Sequence, residues 1–309
     1  MLTKVLLKTF FSLSLVAVLC VCAVHAQSAD SLVLNVTVAN EKGGLSRGLN
    51  LENFSISVDK QPQKILSLSD NEAPASIGIL IDDSGSQYVA PPDGASLRDQ
   101  LKPALERFFK ASNPANEYFV VTFNNKVRLT QDWTSDPQAV LATLDSLTFK
   151  KYTSVWDAMT LALDKVKTGR NSKHILLLIG DGDDNSSKRG FKTVRDKLKA
   201  SDVVLYSVGV NLREYLPGSQ NFWNPEEGIN RLHELTTASG GRTFFTKNQS
   251  QTATLNEVFE SIALELRSQY QLVIAPGHQD PKAKWRKVKI EAKQGAERLT
   301  ARTRLWYYR

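Results

Sequence analysis

Ile77-Gly78-Ile79-Leu80-Ile81-Asp82-Asp83-Ser84-Gly85-Ser86 is the stretch on which the fold turns. Its first five residues are apolar almost without a break. That is the pattern of a strand covered on both faces, which belongs in a parallel sheet with helices on either side. The run stops abruptly at two carboxylates and two hydroxyls. Oxygen-bearing side chains at the C-terminal end of such a strand stand where open α/β sheets bind their ligands.

Downstream, strand and helix periods alternate. Helices are predicted near 97–111, 137–147, 155–167, 191–200, 229–238 and 252–268, and strands at 118–124, 126–130, 174–180, 203–210, 243–245 and 271–274. In the last of these helices Leu255, Val258, Phe259, Ile262 and Leu266 keep helical spacing. The order is that of a doubly wound α/β domain over residues 74–274. Residues 211–228, with Pro217-Gly218 and Trp223-Asn224-Pro225, read as a long surface loop, and Gly240-Gly241 as a helix stop.

The flanks have a different period. Residues 31–39, Phe54–Val58 and Ile65–Leu68 alternate apolar and polar side chains, as do Lys284–Ile290 less regularly, and Leu305-Trp306-Tyr307-Tyr308 is a further strand candidate. Each end supplies too few strands to be stable alone. Segments 27–73 and 275–309 are therefore expected to pack together as one β-rich, sandwich-like unit.

Lys4 and Lys8 precede an apolar run from Phe10 to Val24 that ends in Val24-His25-Ala26, so residues 1–26 read as a signal peptide, too short in their apolar part to span a bilayer. The expected location is periplasmic or extracellular, with no transmembrane span in the mature chain. The only two cysteines, Cys20 and Cys22, fall inside that leader, which removes disulfides, thiolate metal sites and cysteine nucleophiles from the mature chain. Basic residues concentrate at the other end: residues 282–309 hold ten Lys/Arg and two Glu. Spread along strand-like sequence, these charges suit a solvated sheet face first and an anionic surface polymer second, and nucleic acid is not expected.

A second acidic segment, Gly180-Asp181-Gly182-Asp183-Asp184-Asn185-Ser186, leaves the apolar strand His174–Ile179. A hard divalent cation takes oxygen ligands and keeps some waters, so two carboxylates with two or three hydroxyls make a sufficient cage. An ion held mainly by hydroxyls keeps an attraction for an outside anionic oxygen. Asp83, Asp183 and Asp184 read as supporting or solvated residues. Asp181-x-Asp183-x-Asn185 fails as a calcium loop, because Ser186 stands in place of the required Gly and Lys192 in place of the bidentate Glu.

With these residues in view, the sequence resembles the von Willebrand factor A family, whose Asp-x-Ser-x-Ser motif is matched by Asp82, Ser84 and Ser86. The family's threonine and second aspartate fall on Thr153 and Asp181. The resemblance covers roughly 74–274 and implies a Rossmann-like sheet with a metal ion-dependent adhesion site formed by Asp82, Ser84, Ser86, Thr153 and Asp181. It implies Mg²⁺, with Mn²⁺ or Ca²⁺ as substitutes, a protein partner offering an Asp or Glu carboxylate, and no enzymatic activity. The flanks resemble exported bacterial relatives of that family through Gly48-Leu49, Phe54, Asp59, Gln63-Lys64-Ile65, Trp285–Ile290 and Tyr307-Tyr308. Lys151 and Gly180 stand where relatives often have Gly and a Ser or Thr. An ammonium at 151 turned toward the ion would oppose it.

Two alternatives remain open on the sequence: a hydrolytic or peptidase-associated role, and a degenerate site kept for structure. Ser84 is not in a Gly-x-Ser-x-Gly elbow, and no Gly-x-Gly-x-x-Gly or phosphate-loop lysine follows any strand. His174 and His233, in strand and helix sequence, read as core or surface residues.

Overall fold

The Ile77–Ile81 run lies within strand β4 (Ala75–Asp82), all eight residues of which are buried. A computed structural model describes residues 31–70, 72–85, 96–150, 152–210, 225–245, 251–275 and 284–308. The leader, residues 1–26, lies outside them, as do Ser86, Lys151 and most of the 211–228 loop.

Strand β4 is central in a six-stranded sheet with β5 (Glu117–Phe123), β6 (Val127–Thr134), β7 (Lys173–Ile179), β8 (Val204–Gly209) and β9 (Arg242–Phe245), in the order β6-β5-β4-β7-β8-β9. All neighbours are parallel except β5 and β6. The helices are α1 (Leu97–Ala111), α2 (Pro137–Ala142), α3 (Val155–Lys165), α4 (Phe191–Lys199), α5 (Pro225–Ser239) and α6 (Gln251–Arg267). Helices α1 and α6 bury Leu101, Phe108, Leu255 and Phe259 on one face of the sheet, and α3, α4 and α5 bury Met159, Leu163, Leu198 and Leu235 on the other. Each such side chain contributes about 1.5–3 kcal/mol when fully buried. Helix α5 starts four residues before its expected beginning, with Pro225 at a first-turn position that needs no backbone N–H. Among the described residues no helix is long and apolar enough to cross a membrane.

The ends of the chain form the second unit. Strands β1 (Leu32–Ala39), β2 (Phe54–Val58), β3 (Gln61–Ser69), β10 (Tyr270–Ala275), β11 (Trp285–Gln294), β12 (Glu297–Arg302) and β13 (Trp306–Tyr308) pair in the order β12-β1-β10-β3-β2-β11-β13, and β12 also pairs with β11. The ladders therefore run in a closed circuit of six antiparallel strands with β13 added on β11. Leu34, Val36, Ile56, Leu272, Ile274 and Val288 fill the interior. Tyr270–Ala275, placed by sequence in the α/β span, instead pairs with β1 and β3. Its burial alternates along the strand, as a one-faced strand requires.

A buried polar cluster joins the two units. Glu265 of α6 accepts hydrogen bonds from Tyr206 Oη of β8 at 2.6 Å, Arg302 of β12 at 2.6 Å and Thr37 of β1 at 3.3 Å. Gly240 and Gly241 do more than stop α5. Gly240 has φ +88°, and an added Cβ would stand 2.5 Å from the Thr303 carbonyl carbon, so the backbone of the closing segment can lie against the helix end. There the Leu305 amide donates to the Ala238 carbonyl.

Candidate metal centre

The chain leaves β4 for β5 on one side of the sheet, and β7 lies on the other. The C-terminal ends of β4 and β7 are thus the point where strand order reverses, and a crevice forms at such a point in a doubly wound sheet. Asp82 ends β4 and Asp181 follows β7. Both are almost wholly buried, as are Ser84 and Thr153. The register sets Ile81 beside Ile179, which brings Asp82 level with Gly180. A Cβ at Gly180 would come within 2.8 Å of the Asp82 Cβ and 3.0 Å of its Oδ2. The glycine therefore provides the room in which the Asp82 carboxylate sits.

Two loops complete the edge. Ser84 donates its amide to Asp82 Oδ1 at 2.9 Å and bridges to Lys150, which carries the 148–153 loop to the site. Thr153 is fixed from the β7 side: its amide donates to Asn185 Oδ1 at 2.8 Å, and its carbonyl accepts from the amides of Asn185 and Ser186. Between them Tyr152 adopts φ +71° and is 60% exposed, a backbone conformation that costs a non-glycine residue about 1 kcal/mol.

Burial, and then the neighbouring Asp181 carboxylate, push the Asp82 carboxyl well above the usual range; hydrogen bonds from Ser84 oppose that shift. Two anionic groups held out of water at one edge are costly unless a cation offsets them. Among the described residues no three His, Cys, Asp or Glu side chains gather as a metal cluster. The set is two carboxylates with the hydroxyls of Ser84 and Thr153, all hard oxygen donors, and it fits a cation such as Mg²⁺.

The structure sets Asp82 against Asp181 and Ser84 and ties Thr153 to Asn185 on the loop that follows Asp181; Ser86 lies outside the described residues. The neighbouring carboxylates have other tasks. Asp83 is buried, and its Oδ1 accepts the amides of Thr148 and Phe149 at 2.6 Å each while Oδ2 accepts from Thr148 Oγ1 and Asn124. Asp184 accepts from Ser187 Oγ and the Trp156 amide at the start of α3, and Asp183 accepts the Asp184 amide. Sequence reasoning passed over Asn124 and weighed Asn185 only within a calcium loop that fails; their side chains tie down the two loops. The Asp-Asp-Asn-Ser run around Asn185 was the available signal, since Asn there suits a local backbone tie. His174 bonds Asp202 at 2.9 Å from the start of β7, at the sheet edge opposite this site.

The von Willebrand factor type A domain family model matches residues 77–183. Over those residues the α/β unit is similar to a von Willebrand factor type A domain. The matched span contains all five residues from Asp82 to Asp181 singled out for the metal. No curated protein matches the chain. Several solved structures are similar to this chain. A von Willebrand factor type A protein from Catenulispora acidiphila is 13% identical, with a TM-score of 0.49 over 91% of this chain and 75% of that one. An aerotolerance-related membrane protein from Bacteroides fragilis is 18% identical, with a TM-score of 0.48 over 62% of this chain and 98% of that one. The von Willebrand domain of the type V pilus tip protein Mfa5 from Porphyromonas gingivalis is 12% identical, with a TM-score of 0.46 over 63% and 96%.

Proposed function

We propose that this chain is an exported binding module, for adhesion or assembly, that takes an Asp or Glu carboxylate of a partner protein through a divalent cation held by Asp82, Ser84, Ser86, Thr153 and Asp181. The observation that carries this reading is the pair of buried carboxylates, Asp82 and Asp181, set with two hydroxyl side chains at the switch point of the sheet. When bound, the ion supplies a Lewis-acid position for an anionic oxygen.

The residues of the chain do the rest. Asp82 and Asp181 supply the two negative charges, Ser84 and Thr153 supply neutral oxygens, and the Asp83 and Asn185 ties hold the two loops in place before any partner arrives. Such preorganisation saves the ordering cost of binding. The leader-like residues 1–26 support export.

Capture of protein partners from an envelope extract tests the reading. The immobilised chain should retain a partner in Mg²⁺ and release it in chelator, and Asp82→Ala should retain none. Retention that ignores the chelator would reject the metal-mediated mode.

A further inference from the structure

Strand β11 sorts its basic residues by face. Arg286 turns inward and pairs with Asp59 at 2.7 Å, while Lys287, Lys289, Glu291 and Lys293 alternate on the exposed face. Lys293 stands directly opposite Arg298 of β12 in the antiparallel register, an arrangement of like charges that works against the sheet. Aromatic rings continue the same face. Trp306 is opposite Lys287, and Tyr308 is opposite Trp285. The Trp306 ring has Lys287 Nζ at 5.9 Å and Lys199 Nζ at 5.8 Å, and Trp285 meets Tyr308 edge to face at 5.2 Å. Tyr308 is 50% exposed. Lys199 ends α4, which runs away from the loops around Thr153, so this surface lies at the edge of the molecule away from the candidate metal centre.

We propose that the outer face of β11 and β13 binds an acidic polysaccharide, with Trp285, Trp306 and Tyr308 against the apolar faces of sugar rings and Lys287 and Lys293 against its anionic groups. The charge pattern favours this polymer over nucleic acid. Lys289 is paired with Glu291 at 2.8 Å, which leaves Lys287 and Lys293, six residues and roughly 20 Å apart, a spacing that suits a sparsely charged polymer better than one with a phosphate on every nucleotide. Arginine, the side chain suited to two-pronged phosphate contacts, is turned inward at Arg286 and at Arg302, which pairs with Glu265, and stays exposed at Arg298, at the Lys293 end of the row.

Affinity electrophoresis of the full chain in chelator, with carboxymethyl-dextran and uncharged dextran as probes, tests the proposal independently of the metal centre. Carboxymethyl-dextran should retard the protein and uncharged dextran should retard it far less. Lys287→Gln should weaken binding, and Tyr308→Ala, which leaves the net charge unchanged, should weaken it about fivefold with an unaltered melting curve. Loss on Lys287→Gln without loss on Tyr308→Ala would reduce the surface to unspecific charge and overturn the proposal. So would tighter binding to a single-stranded oligonucleotide or to phosphatidylglycerol vesicles than to carboxymethyl-dextran.

Discussion

Adjacent aspartates at the end of β4 do opposite things. Asp82 is buried against another carboxylate, a placement that weakens the metal-free fold and suits a cation. Asp83 accepts four hydrogen bonds from Asn124, Thr148 and Phe149 and fastens the loop that leads to Thr153. Removing Asp83 would leave the part-buried amides of Thr148 and Phe149 without this partner, so Asp83→Ala should cost about 1–3 kcal/mol in denaturant unfolding; an unchanged midpoint would refute the tie. Asp82→Asn should leave stability equal or higher, because it removes one of two charges buried together. In sequence the two residues are the same letter side by side. Their types mark a site, but only the three-dimensional positions of Thr148, Phe149 and Asn124, some 40 to 65 residues away, separate anchor from ligand.

Among the elements, periodicity was readable wherever one strand or helix buries a defined face. The continuous apolar run of β4 and the alternation of β1 and β2 mark a sheet covered on both faces and a sheet covered on one. Strand β10 was harder, since its short apolar run follows a helix just as the α/β rhythm demands; its every-second-residue burial was the clue to the other sheet. Lys173 was also hidden, as a polar first residue of β7 that the structure buries against the C-terminal end of α6, where its Nζ donates to the Leu266 carbonyl. Burial lowers its pKa to about 7, with Glu265 opposing the shift. Between about 7 and its ordinary value of 10.5, the unfolded chain binds this proton and the folded chain does not, so the burial cost falls as pH rises through that window. The stability difference between Lys173→Met and the parent should accordingly favour the variant most near pH 7 and shift toward the parent by pH 10. A difference that does not vary with pH would show that the ammonium is not buried in solution.

Taken whole, the molecule is two units joined by a buried polar cluster. The β-rich unit takes strands from both ends of the chain, and Glu265 of the last α/β helix holds β1, β8 and β12 through Thr37, Tyr206 and Arg302. Glu265→Ala leaves Arg302 without its carboxylate and should destabilise the protein by about 3–5 kcal/mol; a loss under 1 kcal/mol in thermal or denaturant unfolding would show that the units do not depend on this cluster. The inward turn of Arg286 and Arg302 was not visible in a tail that read only as basic, because strand register decides which charges meet a partner. A frame fastened in this way holds the edge between β4 and β7 fixed, and it is there that the functional reading stands or falls. Calorimetric titration of Mg²⁺ and Mn²⁺ into the parent, Ser84→Ala and Asp82→Ala proteins should give binding by the parent, weaker binding when the neutral ligand is removed and none when the carboxylate is removed, with all three folded. Equal affinity across the three proteins would contradict a metal held by Asp82 and Asp181.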